Sequence, residues 1–374
     1  MEKNQLKGFS KFIALFIISA LVISVVIFTA SGDGAVVLPD SGNISLKDQS
    51  DSTGTNPPNL NDGSDNLDAP GNDDASTESP TVFINKITGL EITENEYNAR
   101  AYGIVIDPNL SVYGLSFADF AVEFPTETGA SRMLFFSTSD EVLWKVGALM
   151  PTRKYINNIS KYFGGIIVAN GIDDSVEYRT SYDGAFLDVS KHTDCTYTEN
   201  GKSLYTSENL LEIALNRTHY VNNDNTYTSS PYIISVDGVT DGIKCANSVI
   251  IPYSDKNTTH LIYDGSIGKY VYTKNSEQKI DMLSGARIEY DNAFILFANS
   301  TTYENSNTSE LVIDTESGGA GYYFSGGKMN ELRWSSNDGV MTFKNLMGET
   351  LNVNQGTSYI SFYKASECGN ITMN

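Results

Sequence analysis

Nineteen consecutive uncharged residues, 12–30, lie near the start of the chain. As a helix rising about 1.5 Å per residue, this run approaches the roughly 30 Å of a bilayer core, and it is longer than the apolar part of most signal peptides. Residues 1–11 carry three lysines and one glutamate, which predicts a cytoplasmic basic segment and an extracytoplasmic remainder. We predict a transmembrane signal anchor over 12–30. A secretory signal that is cleaved near Ala30 is the alternative.

Residues 31–80 have a different composition. They contain ten acidic residues against one lysine, no aromatic residue, and five of the ten prolines of the chain. Such a segment cannot bury enough apolar surface to fold. We predict a disordered acidic linker with a root-mean-square span of roughly 40 Å, which holds a folded part clear of the membrane.

The remaining residues, 81–374, have the length and composition of a globular protein of one or two domains. The whole chain has a formal net charge of −21, and most of the acidic residues lie after residue 80. Proteins that bind nucleic acids or anionic lipid surfaces usually carry a positive net charge, so we predict no nucleic-acid partner.

The three cysteines are Cys195, Cys245 and Cys368. An exported protein can pair two of them, and their spacing leaves the pairing open.

Strand and helix patterns alternate between residues 81 and 228. Short apolar or β-rich runs predict strands, and apolar residues at helical spacing predict helices. The predicted elements are a strand at 102–106, a hairpin of 120–124 and 132–136 closed near Gly129, a helix over 151–165, a strand at 165–169 and a helix that starts after Ser207. Within the hairpin, Glu123 and Arg132 are expected to face each other. This order predicts an α/β (α+β) N-terminal domain with a mixed sheet over 81–228.

After about residue 228 the helical periodicity ends. Short strand-like runs follow, separated by turns rich in glycine, asparagine and aspartate. They lie at 248–253, 260–263, 269–273, 293–298, 310–314, 321–324, 329–334, 340–343 and 359–363. This pattern predicts a mostly antiparallel, β-rich C-terminal domain over 229–374.

Common catalytic signatures do not occur in the sequence: there is no G-x-S-x-G, no Walker loop, no C-x-x-C and no H-E-x-x-H. His192, Asp194 and Cys195 place three possible metal-ligand types within four residues. A single short loop rarely completes a metal site without a second ligand cluster, and no second cluster accompanies this one. We therefore predict neither a metal nor a cofactor.

Four charged residues stand among apolar runs between residues 115 and 155, namely Glu123, Glu127, Arg132 and Arg153. Charges in apolar surroundings are costly unless they are paired or used. Two carboxylates could act as acid and base, and two guanidiniums could hold an anionic or carbonyl group. The competing interpretation is a structural ion-pair cluster that fixes the hairpin against the following helix. Tyr205, at the entrance of the second helix, could add a hydroxyl to a ligand site.

The order of several phrases resembles the YerB-like lipoprotein family of low-GC Gram-positive bacteria, whose exported domain is of unknown function. The resemblance runs from about residue 99 to residue 363. The similar phrases begin at Arg100-Ala-Tyr-Gly, Gly114-Leu-Ser-Phe-Ala-Asp119, Glu127-Thr-Gly-Ala-Ser-Arg132, Gly147-Ala-Leu-Met-Pro-Thr-Arg153, Ser203-Leu-Tyr205, Gly319-Ala-Gly-Tyr-Tyr-Phe324 and Leu351-Asn-Val-Asn-Gln-Gly356. It implies an exported, membrane-anchored protein with N-terminal and C-terminal YerB-like parts.

This chain departs from the family pattern at three places. Met150 stands where an arginine is usual, Lys202 and Ser203 replace a histidine-asparagine pair, and no histidine follows the strand at 165–169. If those groups bind or react in relatives, this chain has lost part of the site. The anchor would also differ, because a signal anchor replaces the lipid that is usual in the family.

These observations favour a membrane-anchored extracytoplasmic protein that binds an envelope protein or polymer, rather than an enzyme. The alternative is a hydrolase or transferase that acts on cell-wall or carbohydrate substrates, with Glu123 or Glu127 as acid or base. It requires an open cleft lined by those carboxylates. The sequence does not specify the ligand.

Overall fold

The computed structural model describes residues 81–138, 144–172, 186–199, 201, 203–218, 230–236, 238, 242, 244–304, 309–337 and 339–374. The predicted basic segment, signal anchor and acidic linker lie outside these residues. Within the described part of the chain, no helix is both long and apolar enough to cross a membrane. All described residues belong to a compact unit that spans Thr77–Asn374.

The described chain up to residue 218 forms short strands and four α-helices. They are β1 (Phe83–Ile84), β2 (Glu91–Ile92), α1 (Glu94–Asn98), β3 (Tyr102–Ile106), β4 (Phe120–Pro125), β5 (Ser131–Ser137), β6 (Val146–Gly147), α2 (Lys154–Asn157), α3 (Ile159–Phe163), β7 (Ile166–Ala169), β8 (Phe186–Asp188), β9 (Tyr197–Glu199), β10 (Ser203–Thr206) and α4 (Glu208–Thr218). Short 3₁₀ turns occur at Leu115–Phe117, Val189–Lys191 and Thr193–Cys195.

Strands dominate the described chain after residue 230, as the turn-separated runs predict. They are β11 (Ile233–Ser235), β12 (Lys244–Cys245), β13 (Ser248–Ser254), β14 (Asn257–Asp264), β15 (Lys269–Lys274), β16 (Glu277–Gln278), β17 (Glu289–Tyr290), β18 (Asn292–Ala298), β19 (Ser300–Glu304), β20 (Ser309–Ile313), β21 (Gly319–Ser325), β22 (Lys328–Asn337), β23 (Val340–Lys344), β24 (Asn352–Asn354), β25 (Ser358–Lys364) and β26 (Thr372–Met373). A 3₁₀ turn at Ala365–Asn370 precedes the last strand.

The protein is mostly β and contains several sheets. The largest has the order β12-β22-β21-β18-β25-β4-β5-β3-β7-β8, with β23 paired to β22. It is mixed: β25 runs parallel to both β18 and β4, whereas β4 and β5 are antiparallel. Strands from before and after residue 228 therefore lie side by side in one sheet. The domain boundary at that residue stays a prediction.

A second sheet packs on one face of the central sheet. Its order is β16-β15-β14-β13-β26, with β17 paired to β15. In β13, buried residues alternate with more exposed ones, as a half-buried strand requires. Apolar side chains such as Leu261 and Tyr272 pack with Ala121 and Phe135 in one core. On the opposite face, Ile156 joins a second core through α2.

The predicted hairpin is confirmed as β4 and β5, with a turn closed by a hydrogen bond from Thr126 N to Ala130 O. The helix predicted after Ser207 is confirmed as α4, whose Leu211 and Ala214 are buried.

The helix predicted over 151–165 forms as α2 and α3, separated at Asn158. Asparagine is a poor helix former because its side chain competes for backbone groups, and the Asn158 amide instead donates to Glu316.

Candidate functional site

Glu123 lies on β4 and its side chain is fully buried. Its Oε1 atom accepts hydrogen bonds from Lys274 Nζ and from Ser131 Oγ, each at 2.6 Å. The hydroxyls that donate to its Oε2 atom are those of Tyr359 at 2.7 Å, Thr259 at 2.9 Å and Tyr272 at 3.3 Å. A carboxylate has about four lone-pair sites, so these donors saturate Glu123.

Burial by itself would raise the pKa of Glu123, but the charge and hydrogen bond of Lys274 and the Ser131 and Tyr359 hydroxyls lower it below its ordinary value of 4.5. The carboxylate is therefore ionised at neutral pH inside the protein. No part of it reaches solvent, so a substrate cannot meet it. Glu123 joins the two large sheets, and its surroundings give no support to an acid or base role.

Glu127 and Arg153 form a separate ion pair on the other face of the central sheet. Arg153, at the entrance of α2, donates from Nη1 to Glu127 Oε2 at 2.6 Å and from Nη2 to Oε1 at 3.0 Å. The Arg153 side chain is only 2% exposed, whereas that of Glu127 is 24% exposed. Burial by itself would raise the pKa of Glu127, but the hydrogen bonds and charge of Arg153 lower it. A bidentate pair of this kind holds its two elements in one geometry.

The same ion pair covers the backbone of strand β20. The Leu311 N–H donates to Glu127 Oε2, and Arg153 Nη1 donates to the Leu311 carbonyl, both at 3.3 Å. Within the described sheets, β20 pairs with β19 alone. Glu127 and Arg153 therefore supply the acceptor and the donor that a neighbouring strand would supply at Leu311.

A cleft of about 220 Å³ opens beside this ion pair. Residues of α2 and the following turn form one wall, and strand β20 with the loop after it forms the other. The lining residues are Lys154, Tyr155, Asn158, Glu310, Leu311, Val312, Ile313, Asp314, Thr315 and Glu316. The cleft is smaller than the roughly 300–1,000 Å³ of most drug-sized sites, which fits a small ligand or one part of a larger one.

Two buried hydroxyls in the lining lack hydrogen-bond partners among the described residues. Tyr155 is 5% exposed and Thr315 is 1% exposed, and no described group meets either hydroxyl in hydrogen-bonding geometry. Burial raises the pKa of Tyr155, although the neighbouring guanidiniums of Arg153 and Arg132 oppose that rise. Buried polar groups are normally hydrogen-bonded, and an unsatisfied one costs about 1–3 kcal/mol. Both hydroxyl oxygens are themselves covered, so a ligand in the cleft would reach them only after the lining around Tyr155 and Thr315 shifts.

The lining of the cleft is acidic. Glu310, Asp314 and Glu316 contribute three carboxylates and Lys154 one ammonium. Glu316 Oε1 accepts from the Asn158 amide at 3.0 Å, and Asp314 accepts from the Glu316 N–H at 3.0 Å. Histidine, cysteine, aspartate and glutamate side chains nowhere gather into a metal-binding group within the described ranges. The carboxylates of the lining therefore outnumber its ammonium group by three to one.

Arg132 and Tyr205 occupy different surroundings. Arg132 lies on β5 and donates from Nη1 to the Pro151 carbonyl at 3.0 Å, on the same side of the sheet as Arg153.

Tyr205 lies on β10, where its ring is 4.4 Å from Lys145 Nζ and 5.3 Å from the Tyr113 ring. Tyr205 is not part of the cleft lining. The Tyr205 ring therefore packs against a cation and a second aromatic ring.

The structure thus brings together Glu127, Arg132 and Arg153 and separates Glu123 from them. The expected pairing of Glu123 with Arg132 is wrong, because Glu123 lies opposite Met133 and Arg132 lies opposite Phe124. A shift of one residue places a side chain on the other face of a sheet. The carboxylate at Glu123 consequently pairs with Lys274.

Sequence reasoning also missed Lys274 and the cleft residues. Lys274 follows Tyr270 and Tyr272 at a spacing of two, so strand alternation places it on the face that carries those buried rings. That spacing was the available signal for a buried lysine. Thr315 carried no comparable signal, because its burial depends on the loop after β20.

The cysteine pairing left open by the sequence is not formed, since Cys195, Cys245 and Cys368 are all free.

Part of the sequence matches a protein family of unknown function. The profile described as "Protein of unknown function (DUF3048) C-terminal domain" matches residues 249–360. "Putative lipoprotein YerB" of Bacillus subtilis (strain 168) is 25% identical over 268 residues, which cover 68% of this chain and 78% of that protein. The resemblance predicted from the sequence is confirmed: the chain is similar to YerB. The aligned length is more than twice the matched profile segment, so the likeness extends beyond the C-terminal part.

A solved structure resembles the fold. The crystal structure of the YerB protein from Bacillus subtilis matches with a TM-score of 0.67 and 19% identity, covering 78% of this chain and 99% of that chain. At this identity the match establishes a shared fold. The segment 249–360, which matches the DUF3048 C-terminal domain, contains Lys274, which binds Glu123, and strand β20, which forms one wall of the cleft.

Proposed function

We propose that this YerB-like chain is a membrane-anchored extracytoplasmic protein that binds a ligand or partner in the bacterial cell envelope, through the cleft beside Arg153. The pair of buried hydroxyls without partners, Tyr155 and Thr315, is the observation that carries the proposal. A ligand that hydrogen-bonds to them would remove two desolvation penalties at once.

The location rests on two observations that agree. The relative from Bacillus subtilis is described as a lipoprotein, and the sequence of this chain predicts a single-pass anchor over 12–30 followed by an acidic linker. Both support a folded domain that is tethered outside the membrane. The partner is then an envelope protein or polymer within reach of the linker.

The hydrolase or transferase alternative receives no support from the two carboxylates it would use. Glu123 is buried and saturated by its donors. Glu127 has both oxygens on Arg153, and its lowered pKa opposes service as a general acid. The arrangement suits a fixed scaffold beside a binding cleft.

Binding and turnover should be measured together on the full-length chain in lipid nanodiscs. The probes are muropeptides, which carry peptide stems, and glycan strands freed of peptide. We expect a titratable complex with at least one probe, no new product by mass spectrometry, and weaker binding in Tyr155→Phe and Thr315→Val. Tyr197→Phe removes a tyrosine hydroxyl outside the cleft and serves as the matched control.

Two results would overturn the proposal. One is product formation that Glu127→Gln abolishes, which would favour the enzymatic alternative. The other is that no probe binds, or that a probe binds equally well to the wild type, Tyr155→Phe and Thr315→Val.

A further inference from the structure

We infer that two copies of this chain pair through the outer edge of strand β19, which joins their two-stranded β19-β20 sheets into one four-stranded sheet. No residue of β19 is among those that line the cleft, so the inference goes beyond the proposed ligand binding. It follows from the direction of the backbone groups along β19, from the exposure of the strand, and from the register that a two-fold axis would impose.

The backbone groups of β19 alternate between β20 and the outer edge. Leu311 on β20 turns its N–H and carbonyl away from β19, toward the ion pair beside the cleft, and Leu311 lies opposite Thr302. These two residues therefore exchange no main-chain hydrogen bonds, and the N–H and carbonyl of Thr302 point away from β20. Because the direction alternates along a strand, Ser300 and Glu304 point outward as well.

The outer edge of β19 is exposed. Thr302 and Glu304 are exposed, and Ser300 is partly exposed. Within the described sheets β19 pairs with β20 alone, and no other described residue hydrogen-bonds to the outward groups of these three residues. Each of the three thus presents an N–H and a carbonyl that a further strand could pair.

The devices by which proteins usually block a free sheet edge are missing from β19. Its sequence, Ser300-Thr-Thr-Tyr-Glu304, contains no proline and no lysine, and threonine and tyrosine favour strands. No bulge interrupts its pairing with β20, since each of its residues has one partner there. A sheet of only two strands also gains stability when further strands are added. The edge is therefore suited to another strand.

A second copy of the chain fits this edge by symmetry. If a two-fold axis passes between the Thr302 residues of two antiparallel copies, Ser300 of each copy lies opposite Glu304 of the other. Every outward N–H and carbonyl of β19 then has a partner. Glu304, the one charged residue of the strand, faces a serine, whereas an axis at Glu304 would place two carboxylates opposite each other. Hydrogen bonding and charge therefore select the same register.

The edge of strand β9 provides a comparison. The Leu204 carbonyl on β10 accepts from Leu149 N at 2.8 Å, away from β9, and Leu204 lies opposite Thr198. By the same alternation, Thr198 is the one residue of this three-residue strand whose backbone groups point outward. Thr198 is exposed. It therefore serves as a matched control, because a single outward residue cannot form the extended pairing available to β19.

Disulfide cross-linking of the full-length chain in liposomes tests the inference. The exposed cysteines Cys245 and Cys368 are first replaced by serine. Cα atoms of a hydrogen-bonded antiparallel pair lie about 5.5 Å apart, a distance that a disulfide spans. We expect Thr302→Cys to form a covalent dimer under mild oxidation at least about tenfold faster than Thr198→Cys.

A mixture of two variants tests the register. Copies with Ser300→Cys and copies with Glu304→Cys should cross-link to each other when they share one liposome. Either variant alone should not cross-link, because the two equivalent positions are then offset by about 14 Å along the strands.

Charge exchange at Thr302 tests the contact between copies without depending on how well one variant folds. Thr302→Lys in both members of the Ser300→Cys and Glu304→Cys mixture should slow their cross-linking, since like charges then face each other. Thr302→Glu in both members should do the same. Thr302→Lys in one member and Thr302→Glu in the other should restore the rate, which a misfolded variant could not do.

Each contrary result has a defined meaning. Equal rates for Thr302→Cys and Thr198→Cys would show that copies meet only by random collision and would overturn the inference. Failure of the mixed cross-link, or equal rates for like and opposite charges at Thr302, would overturn the two-fold register. If β19 instead pairs with a strand of a different protein, liposomes that contain this chain alone will show no cross-link. All these results leave the muropeptide and glycan measurements to decide the proposed function by themselves.

Discussion

Lys274 Nζ lies 2.6 Å from Glu123 Oε1, and the two side chains are 1% and 0% exposed. The pair connects β15 of the six-stranded sheet to β4 of the central sheet. Ser131 and Thr259 accept further hydrogen bonds from the ammonium at 2.9 and 3.0 Å. Such saturation is the condition under which a buried ion pair is tolerated.

Removing the cation alone should destabilise the protein strongly. In Lys274→Met the Glu123 carboxylate stays buried without its counter-ion, and we expect the free energy of unfolding to fall by about 3–5 kcal/mol. Urea denaturation followed by tryptophan fluorescence measures the change. The double variant Glu123→Gln with Lys274→Met removes both charges and should lose less than Lys274→Met alone. An equal or larger loss in the double variant would contradict the role assigned to the charge pair.

The same pair should contribute to the loss of stability in acid. The pKa of Glu123 is lowered in the folded state relative to its ordinary value of 4.5. The contribution of Glu123 to the free energy of unfolding is therefore fully present above pH 4.5, where the Glu123 carboxyl is ionised in the unfolded chain as well. That contribution is lost as the pH falls through the folded-state pKa. Urea midpoints measured from pH 7 to pH 3 should fall more steeply in the wild type than in the double variant. Parallel curves would assign the acid sensitivity to other carboxylates, such as Glu127.

The sequence predicted the hairpin well but not its register. Alternating β-rich residues and Gly129, which adopts a φ of +75° in the turn, were sufficient to place both arms. The register depends on where the turn closes, and Pro125 pairs with Ser131. That single step moved Arg132 to the opposite face from Glu123. Local propensities locate strands, whereas the choice of facing residues is made by turn closure and by the packed sheets.

The cleft could not be predicted for a different reason. Its two walls, at 154–158 and 310–316, are far apart in the sequence and meet only in the folded chain. Strand β20 was predicted as a strand at 310–314, and Tyr155 was predicted on a helix. Neither pattern indicates that their side chains share a cavity or that the Tyr155 hydroxyl lacks a partner.

Arg153 should not be replaceable by lysine. Lysine keeps the charge but lacks the planar fork with which arginine binds both oxygens of Glu127 and also donates to the Leu311 carbonyl. For Arg153→Lys we expect a loss of about 1.5–3 kcal/mol in the free energy of unfolding, the range of a charge-assisted hydrogen bond. Exchange of the Leu311 amide, which donates to Glu127, should also become faster.

Arg217 offers the control for that substitution. It forms a bidentate pair with Asp194 at 2.8 Å, but its side chain is 45% exposed. Exposed ion pairs contribute little because solvent screens them. Arg217→Lys should therefore change stability much less than Arg153→Lys, and it should leave exchange in β20 unchanged. Equal effects of the two substitutions would show that Arg153 acts only as a charge.

Tyr205 should contribute through its ring and not through its hydroxyl. The Lys145 ammonium lies 3.8 Å from the centre of the Tyr113 ring and 4.4 Å from that of Tyr205. Cations in such positions contribute about 0.5–1 kcal/mol at partly exposed sites. We therefore expect Tyr205→Phe to retain the stability of the wild type and Tyr205→Leu to lose at least that amount. In a Lys145→Met background, the difference between the two variants should shrink, because the cation that distinguishes an aromatic ring from an aliphatic side chain is gone. A loss in Tyr205→Phe as large as that in Tyr205→Leu would instead restore the hydroxyl role expected from the sequence.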